Sequence, residues 1–160
     1  MIVVSDSSPL IALSSVDRLD LMQLLFDTVI IPVAVRDEVV GTAAKIAGEL
    51  PSFIRVEPVA AELPVRFLKL TLHAGESEAI ALALERGIQG TILDDKQARE
   101  IAAELGLKVI GTLGLLILAK RKGFITAVRP IMAQIIDRMN FRIAPSVLNR
   151  ALSLIDEPPL

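Results

Sequence analysis

Four acidic residues stand where they could act together on one ligand. Asp6 and Asp94 each follow a short apolar run, Glu76 leads an apolar helical stretch, and Glu38 lies among valines. Carboxylates that converge on one crevice repel each other unless they share protons or hold a cation. A hard divalent ion such as Mg²⁺ prefers oxygen ligands, lowers the pKa of a bound water and neutralises charge on phosphoryl oxygens. The four residues therefore predict a metal site suited to phosphodiester chemistry.

Each of these carboxylates also has an ordinary structural explanation. An Asp at a strand end often caps the following helix, and a Glu in a first helical turn suits the helix dipole. Glu38 has Val35, Val39 and Val40 as neighbours, so it is expected beside a buried stripe rather than in free solution. The elements that carry the residues decide between the two interpretations, because only the fold can bring them together.

Strands and helices are predicted to alternate along the chain. Short β-branched runs predict buried strands at residues 2–5, 28–31, 91–93 and 108–110, with an edge strand at 54–59. The first helix is predicted to begin at Ser7-Ser8-Pro9, with a serine cap and proline in the first helical position. Further helices are predicted at residues 19–25, 33–39, 43–50, 76–86, 96–105, 113–122, 127–139 and 145–155.

This alternation favours an α/β fold with a mainly parallel central sheet and helices on both faces. In such open sheets the ligand crevice lies beyond the carboxyl ends of the strands. Asp6, Asp94, Asp95 and Thr112 follow closely on predicted strands, so they are expected at that crevice. The chain is expected to form one domain over residues 1–160, with a motif-bearing core at about 1–123 and a helical segment at about 126–156.

Composition excludes several kinds of site. The chain has 160 residues, of which 52% are hydrophobic, enough to bury a sizeable core. It contains no cysteine, which excludes disulfides, thiolate metal sites and thiol nucleophiles. Its formal net charge is −2, whereas general nucleic-acid binders are usually basic. Any nucleic acid must therefore be bound at a local site.

The sequence predicts a soluble, cytoplasmic protein. The residues from Met1 to Asp6 lack the basic region that opens a signal peptide. The longest strongly apolar stretch, residues 109–119, is shorter than the roughly 20 residues of a membrane span. No membrane partner is expected.

Five sequence blocks resemble the motifs of PIN domains, in the order and at the spacing of that family. The first places an Asp after a strand and before serines and an apolar helix, and the second and third each carry a conserved acidic residue. The last block is similar to one found in the DUF3368-type, VapC toxin-like branch. The blocks are Ser5–Leu13, Ile31–Val39, Gly75–Ala83, Leu93–Arg99 and Val109–Gly114.

The resemblance implies a three-layer PIN-like fold and a set of functional residues. Asp6, Glu38, Glu76 and Asp94 correspond to the acidic quartet that binds Mg²⁺ or Mn²⁺ and carries catalysis. The implied activity is metal-dependent hydrolysis of RNA as an endoribonuclease. The implied partners are an RNA substrate, a small antitoxin protein of a type II toxin–antitoxin pair, and a second copy of the chain in a homodimer.

Two of the quartet positions have neighbours that compete for the same role. Glu78 competes with Glu76, and Asp95 with Asp94. Residues two apart on a helix point in different directions, so one ion is not expected to meet both Glu76 and Glu78. Glu76 is favoured because it leads the helix, and Asp94 because it directly follows the strand.

Other polar residues are weaker candidates. The hydroxyls of Ser8 and Thr112 could orient a water or a phosphate. Arg36, Lys96 and Arg99 lie near the predicted crevice and could contact phosphate.

Three further features are interpreted as structural. His73, the only histidine, reads as a surface or capping residue. The basic run at residues 120–122 suits a last helical turn, and the acidic tail at 156–159 is expected to fray.

Two other functions fit parts of the pattern. A non-catalytic PIN-like module that binds a protein would need none of the carboxylates. A receiver-like phosphotransfer domain would also place Asp residues at strand ends, as Asp94 and Asp95 are placed.

Overall fold

The sheet in this computed structural model, which describes residues 1–40, 46 and 48–160, has five parallel strands. They lie in the order β3-β2-β1-β4-β5. The mainly parallel sheet predicted from the sequence is therefore confirmed. Its strands are β1 (Ile2–Ser5), β2 (Thr28–Pro32), β3 (Ile54–Glu57), β4 (Gly90–Ile92) and β5 (Lys108–Ile110).

Helices connect the strands and follow the last of them. Within the described residues they are α1 (Ser7–Ser15), α2 (Asp20–Leu25), α3 (Val33–Val39), α4 (Glu62–Leu68), α5 (Ala74–Arg86), α6 (Lys96–Glu104), α7 (Thr112–Arg121), α8 (Arg129–Met139) and α9 (Pro145–Ser153).

Two hydrophobic cores cover the two faces of the sheet. Because side chains alternate along a strand, Val3 and Val29 face one core while Val4 and Ile30 face the other. The first core is completed by α1, α2, α3, α7, α8 and α9, and the second by α5 and α6. The result is the three-layer α/β arrangement expected from the sequence, with the carboxyl edge of the sheet left uncovered by either core.

Three local predictions differ from the structure. Helix α1 begins at Ser7 with Asp6 as its N-cap residue, so the predicted serine cap is wrong and Pro9 is the third helical residue. Helix α4 was not predicted, because Pro64 interrupts its pattern; proline is tolerated there because it lies in the first turn. Strand β3 ends at Glu57, one residue before a proline that cannot donate to the sheet.

The helix predicted at residues 43–50 lies partly outside the described residues. Residues 41–45 and 47 are not described, and the described residues 46 and 48–50 of that prediction are not helical.

The C-terminal tail is anchored, which contradicts the predicted fraying. Glu157 accepts hydrogen bonds from the backbone amides of Val128 (2.8 Å) and Arg129 (2.7 Å), at the start of α8. The Lys120 ammonium group donates to the same carboxylate at 2.7 Å and to the carbonyl of Ile155 at 2.9 Å. Only 7% of the Glu157 side chain is exposed. The tail therefore joins the end of α7 to the start of α8.

Across the described part of the chain, no helix combines the length and the apolar character needed to cross a membrane.

Candidate metal centre

The strand register brings two of the predicted residues, Asp6 and Asp94, to one edge of the sheet. Ser5 in β1 pairs with Ile92 in β4, and Ile92 pairs with Ile110 in β5. The amide of Asp6 continues this ladder by donating to the carbonyl of Ile92 at 3.2 Å. Asp6 and Asp94 therefore leave neighbouring strands at the same carboxyl edge, where open parallel sheets bind ligands.

Asp6 is buried, and one of its carboxylate oxygens has no partner. The residue is only 2% exposed. Among the described residues, its Oδ1 and the hydroxyl of Ser77 are the buried side-chain atoms without a hydrogen bond. Burial, and then the charges of Asp94, Glu76 and Glu38, raise the pKa of Asp6 well above its ordinary value. A buried carboxylate crowded by three others is a site that a cation would stabilise.

Asp94 is held in place by the first residue of α7. The amide of Thr112 donates to Oδ1 at 2.7 Å, and its hydroxyl donates to Oδ2 at 2.6 Å. Burial raises the pKa of Asp94, while these bonds and the nearby guanidinium of Arg99 act in the opposite direction. The hydroxyl of Thr112, a candidate for orienting water or phosphate, is thus occupied in orienting Asp94.

Glu76 comes from the first turn of α5. Its Oε2 accepts a hydrogen bond from the amide of His73 at 3.0 Å, which ties it back to the residue before the helix. Burial raises the pKa of Glu76, whereas the hydrogen bond from His73 lowers it. The charges of Asp95 and Glu38 add to the rise. His73 itself is exposed at the N-cap position, in agreement with its structural interpretation.

Glu38 reaches the centre from α3 and is more exposed than expected. The prediction that it lies away from free solution is wrong, because the residue is exposed. Its carboxylate nevertheless accepts a hydrogen bond from the hydroxyl of Ser7 at the start of α1. Sequence reasoning named Ser8 and missed Ser7; the position of Ser7 directly after Asp6 was the available signal. The Ser8 hydroxyl lowers the pKa of Asp94, so both serines act on carboxylates of this centre.

Gly75 allows Glu38 to approach α5. A Cβ atom at this position would lie 2.8 Å and 2.9 Å from the two carboxylate oxygens of Glu38, closer than carbon and oxygen tolerate. Gly111 has a similar role beside Asp94, since a Cβ there would lie 2.9 Å from Oδ1 and 3.2 Å from the carbonyl of Leu93. A side chain at Gly75 would therefore force the end of Glu38 to move, and one at Gly111 would also collide with the guanidinium of Arg99.

We expect Gly75→Ala to weaken the binding of a divalent ion far more than it changes stability. The new methyl group displaces the Glu38 carboxylate, and disturbing a residue beside a metal site typically costs about 10–100-fold in metal affinity. Alanine is the better helix former by about 0.5–1 kcal/mol, which offsets the crowding. Titration with Mn²⁺ and the melting temperatures of the two proteins measure both effects. Adding Glu38→Asp, shorter by one methylene, should restore part of the affinity; an unchanged affinity in Gly75→Ala would contradict a role for this approach.

The two competing acidic residues face other parts of the molecule. Glu78 accepts a hydrogen bond from the amide of Ala34 at 3.1 Å, at the start of α3, and lies 3.9 Å from the Lys69 ammonium group. Asp95 caps α6 by accepting from the amide of Ala98 at 2.9 Å. The charge of Asp95 still raises the pKa of Glu76, so Asp95 lies close to the centre although its carboxylate is bound to α6.

The predicted basic residues differ in their placement. Arg36 is paired with the adjacent Asp37 at 2.7 Å, and Lys120 with Glu157. Lys96 is 90% exposed, with Glu100 at 3.8 Å on the same helix. Arg99 lies beside Asp94 and Gly111, so it is the predicted cation nearest to the carboxylates.

The negative charges of the four carboxylates would attract a cation, but their oxygens do not converge on one point. In the part of the chain that the structure describes, no three acidic or histidine side chains are arranged to hold one ion. The reason is visible in their contacts, because Asp94, Glu76 and Glu38 are each turned toward a protein donor. Among the buried oxygens of these four carboxylates, Oδ1 of Asp6 is the one without a hydrogen bond.

Comparison with known proteins identifies a family. The model of the family DUF3368, described as a PIN domain, matches residues 2–157. Comparisons with curated proteins and with solved structures gave no match.

Proposed function

Because the chain belongs to the PIN-domain family DUF3368, a family of nuclease type, we propose that it is a metal-dependent endoribonuclease that hydrolyses RNA phosphodiester bonds. The observation that carries this proposal is the buried carboxylate of Asp6, which has an unpartnered oxygen and three other carboxylates around it. Leaving that charge without a counterion is costly, so the arrangement makes sense when a cation is present.

Asp6 and Asp94 are the residues proposed to hold the ion directly, with Glu76 and Glu38 completing its surroundings. PIN domains typically use divalent metals, and Mg²⁺ or Mn²⁺ is proposed here because the donors are all carboxylates. When bound, such an ion supplies a water of lowered pKa and neutralises charge on phosphoryl oxygens. Thr112 fixes the orientation of Asp94, and Ser7 that of Glu38. Arg99, whose charge acts on Asp94, is proposed to contact the phosphate of the substrate.

The test is cleavage of a panel of single-stranded and structured RNAs with Mn²⁺, with Mg²⁺ and with a chelator. Glu76→Gln and Glu78→Gln form a matched pair, since both remove one charge from α5. We expect Glu76→Gln to lose roughly a hundredfold or more in rate, the usual effect of removing one electrostatic contact from an active site. Glu78→Gln should cleave normally, because its carbonyl oxygen can still accept from Ala34. Equal loss in both variants, or metal-independent cleavage, would contradict the proposed centre.

The biological role proposed is that of the toxin of a type II toxin–antitoxin pair, VapC-like, with a small antitoxin and a homodimer as partners. An exposed apolar stripe on and after α4 supports a protein partner. Leu63 and Phe67, which are four residues apart on one side of α4, are 67% and 70% exposed, and Leu70 in the turn after the helix is 78% exposed.

The same stripe favours the alternative, a non-catalytic protein-binding module. Thermal melting with and without Mn²⁺ distinguishes the two, because a ligand that binds only the folded state raises its stability. A nuclease centre predicts a metal-dependent rise in melting temperature that is absent in Asp6→Asn. No rise in the wild type, together with no cleavage, would favour the binding module.

A further inference from the structure

A cavity of about 570 Å³ lies directly beside Asp94. Its size is within the roughly 300–1,000 Å³ of small-ligand sites. One side is formed by the start of α6 and by α7, and the other by the segment from Phe141 to Val147. The cavity thus lies between the carboxyl edge of the sheet, where Asp94 is found, and the C-terminal part of the chain.

The C-terminal segment turns toward the cavity at Asn140, which has a left-handed backbone conformation. Asn140 ends α8 with φ of +52°, a conformation that asparagine adopts more readily than most residues. The chain then turns back across α7 without regular structure until α9 begins at Pro145. Phe141 and Ile143 pack against the first core in this stretch, which places Arg142 between them at the cavity.

Cations outnumber anions around the cavity. Lys96, Arg99 and Arg142 line it, and among the residues that the structure describes Asp94 is its only acidic lining residue. Arg99 and Arg142 form no ion pair within 4 Å among the described residues. In a chain with a net charge of −2, this is a local site that favours a polyanion.

The remaining wall is apolar and includes one aromatic ring. Leu113, Ile117 and Phe141 contribute to it, and Phe141 is partly exposed. An aromatic ring beside basic groups is the combination by which proteins bind unpaired nucleotides, with a base against the ring and phosphates on the cations. Duplex RNA keeps its bases stacked and could not use the ring.

We propose that this cavity binds one unpaired nucleotide of the RNA next to the phosphate that is cut. Its base lies against Phe141, and its phosphates are bound by Arg99 and Arg142. The proposal rests on the proposed nuclease function, because it is Asp94 that joins the cavity to the carboxylates. It assigns the C-terminal segment to substrate recognition, through Phe141 and Arg142.

Binding of a short fluorescent single-stranded RNA in the presence of chelator tests the subsite without cleavage. Arg142→Ala and Phe141→Leu should each raise Kd by about tenfold, whereas Phe141→Tyr, which keeps the ring, should bind normally. Arg121→Ala is the control, because Arg121 is an exposed cation at the end of α7 outside the cavity. Arg142→Ala should also lower the slope of log Kd against log salt by about 0.7–1, the signature of one lost phosphate contact. Phe141→Leu should leave that slope unchanged.

Metal-dependent cleavage separates failure of the subsite from failure of the nuclease. With Mn²⁺, Arg142→Ala should raise KM by about tenfold and leave kcat within about twofold. Cleavage by the wild type with no change of Kd, salt slope or KM in Arg142→Ala and Phe141→Leu would overturn the subsite and indicate that a protein segment occupies the cavity. Loss of RNA binding in both variants, with no cleavage by the wild type, would support the subsite while refuting the nuclease.

Discussion

Asp6→Asn is expected to abolish RNA cleavage and, at the same time, to make the protein more stable. The loss of activity should reach at least about 10²–10³-fold, because the substitution removes the only free, buried carboxylate oxygen of the candidate centre. Stability should rise by roughly 1–3 kcal/mol, because the buried charge is removed and the new amide can donate to the carboxylates around it. Such a gain corresponds to roughly 2–12 °C in melting temperature for a chain of this size.

The stability gain should depend on pH in a defined direction. The pKa of Asp6 is raised in the folded protein, so its protonated form favours folding. That contribution is fully present below the ordinary pKa of an aspartate and is lost as the pH rises through the raised value. In chelator, the difference in melting temperature between Asp6→Asn and the wild type should therefore be large at neutral pH and shrink toward acid pH.

Asp95→Asn is the matched control for this experiment. Asp95 is exposed and caps α6, and asparagine caps helices equally well, so both activity and melting temperature should stay near the wild-type values. Full activity in Asp6→Asn would remove Asp6 from the catalytic centre. A fall in its melting temperature would contradict the assignment of a destabilising buried charge.

Among the substitutions proposed here, Glu157→Ala is expected to cause the largest loss of stability. We expect a loss of roughly 3 kcal/mol, or about 6–12 °C in melting temperature. The substitution leaves the Lys120 ammonium group and the amides of Val128 and Arg129 without their shared acceptor. Glu157→Gln keeps an acceptor for the amides but removes the charge, so it should lose an intermediate amount. Asp137→Ala, which removes an exposed carboxylate from α8, should change the stability by less than about 0.5 kcal/mol.

The effect of Glu157 should disappear in acid. Burial acts to raise its pKa, but the hydrogen bonds from Lys120, Val128 and Arg129 hold the pKa below its ordinary value. A lowered pKa stabilises the fold above the ordinary value of a glutamate, and this is lost as the pH falls through the lowered one. Denaturant unfolding of both proteins at neutral and acid pH measures the difference. An unchanged melting temperature in Glu157→Ala would mean that the tail frays after all.

The sequence alone determined the order of the five strands, most of the helices between them and the position of the carboxylates along them. Strands and helices are set by nearby residues: β-branched runs favour strands, and capping residues and glycines such as Gly87 end helices within a few positions. Parallel strands must then end at one edge, so Asp6 and Asp94 were predicted together without any coordinates. Glu76 and Glu38 were also candidates from their positions in the sequence, and the family resemblance assigned all four carboxylates to one metal-binding quartet.

Only the tertiary structure decided what each side chain contacts. Glu76 and Glu78 lie on one helix with similar neighbours in sequence, yet only Glu76 faces the other carboxylates, because Glu78 is bound to the start of α3. Arg142 and Phe141 reach the cavity beside Asp94 from the far end of the chain. In the sequence, Glu157 is part of a polar tail. In the structure, it accepts hydrogen bonds from three donors at the end of α7 and the start of α8. Such contacts join residues tens of positions apart, and no local pattern encodes them.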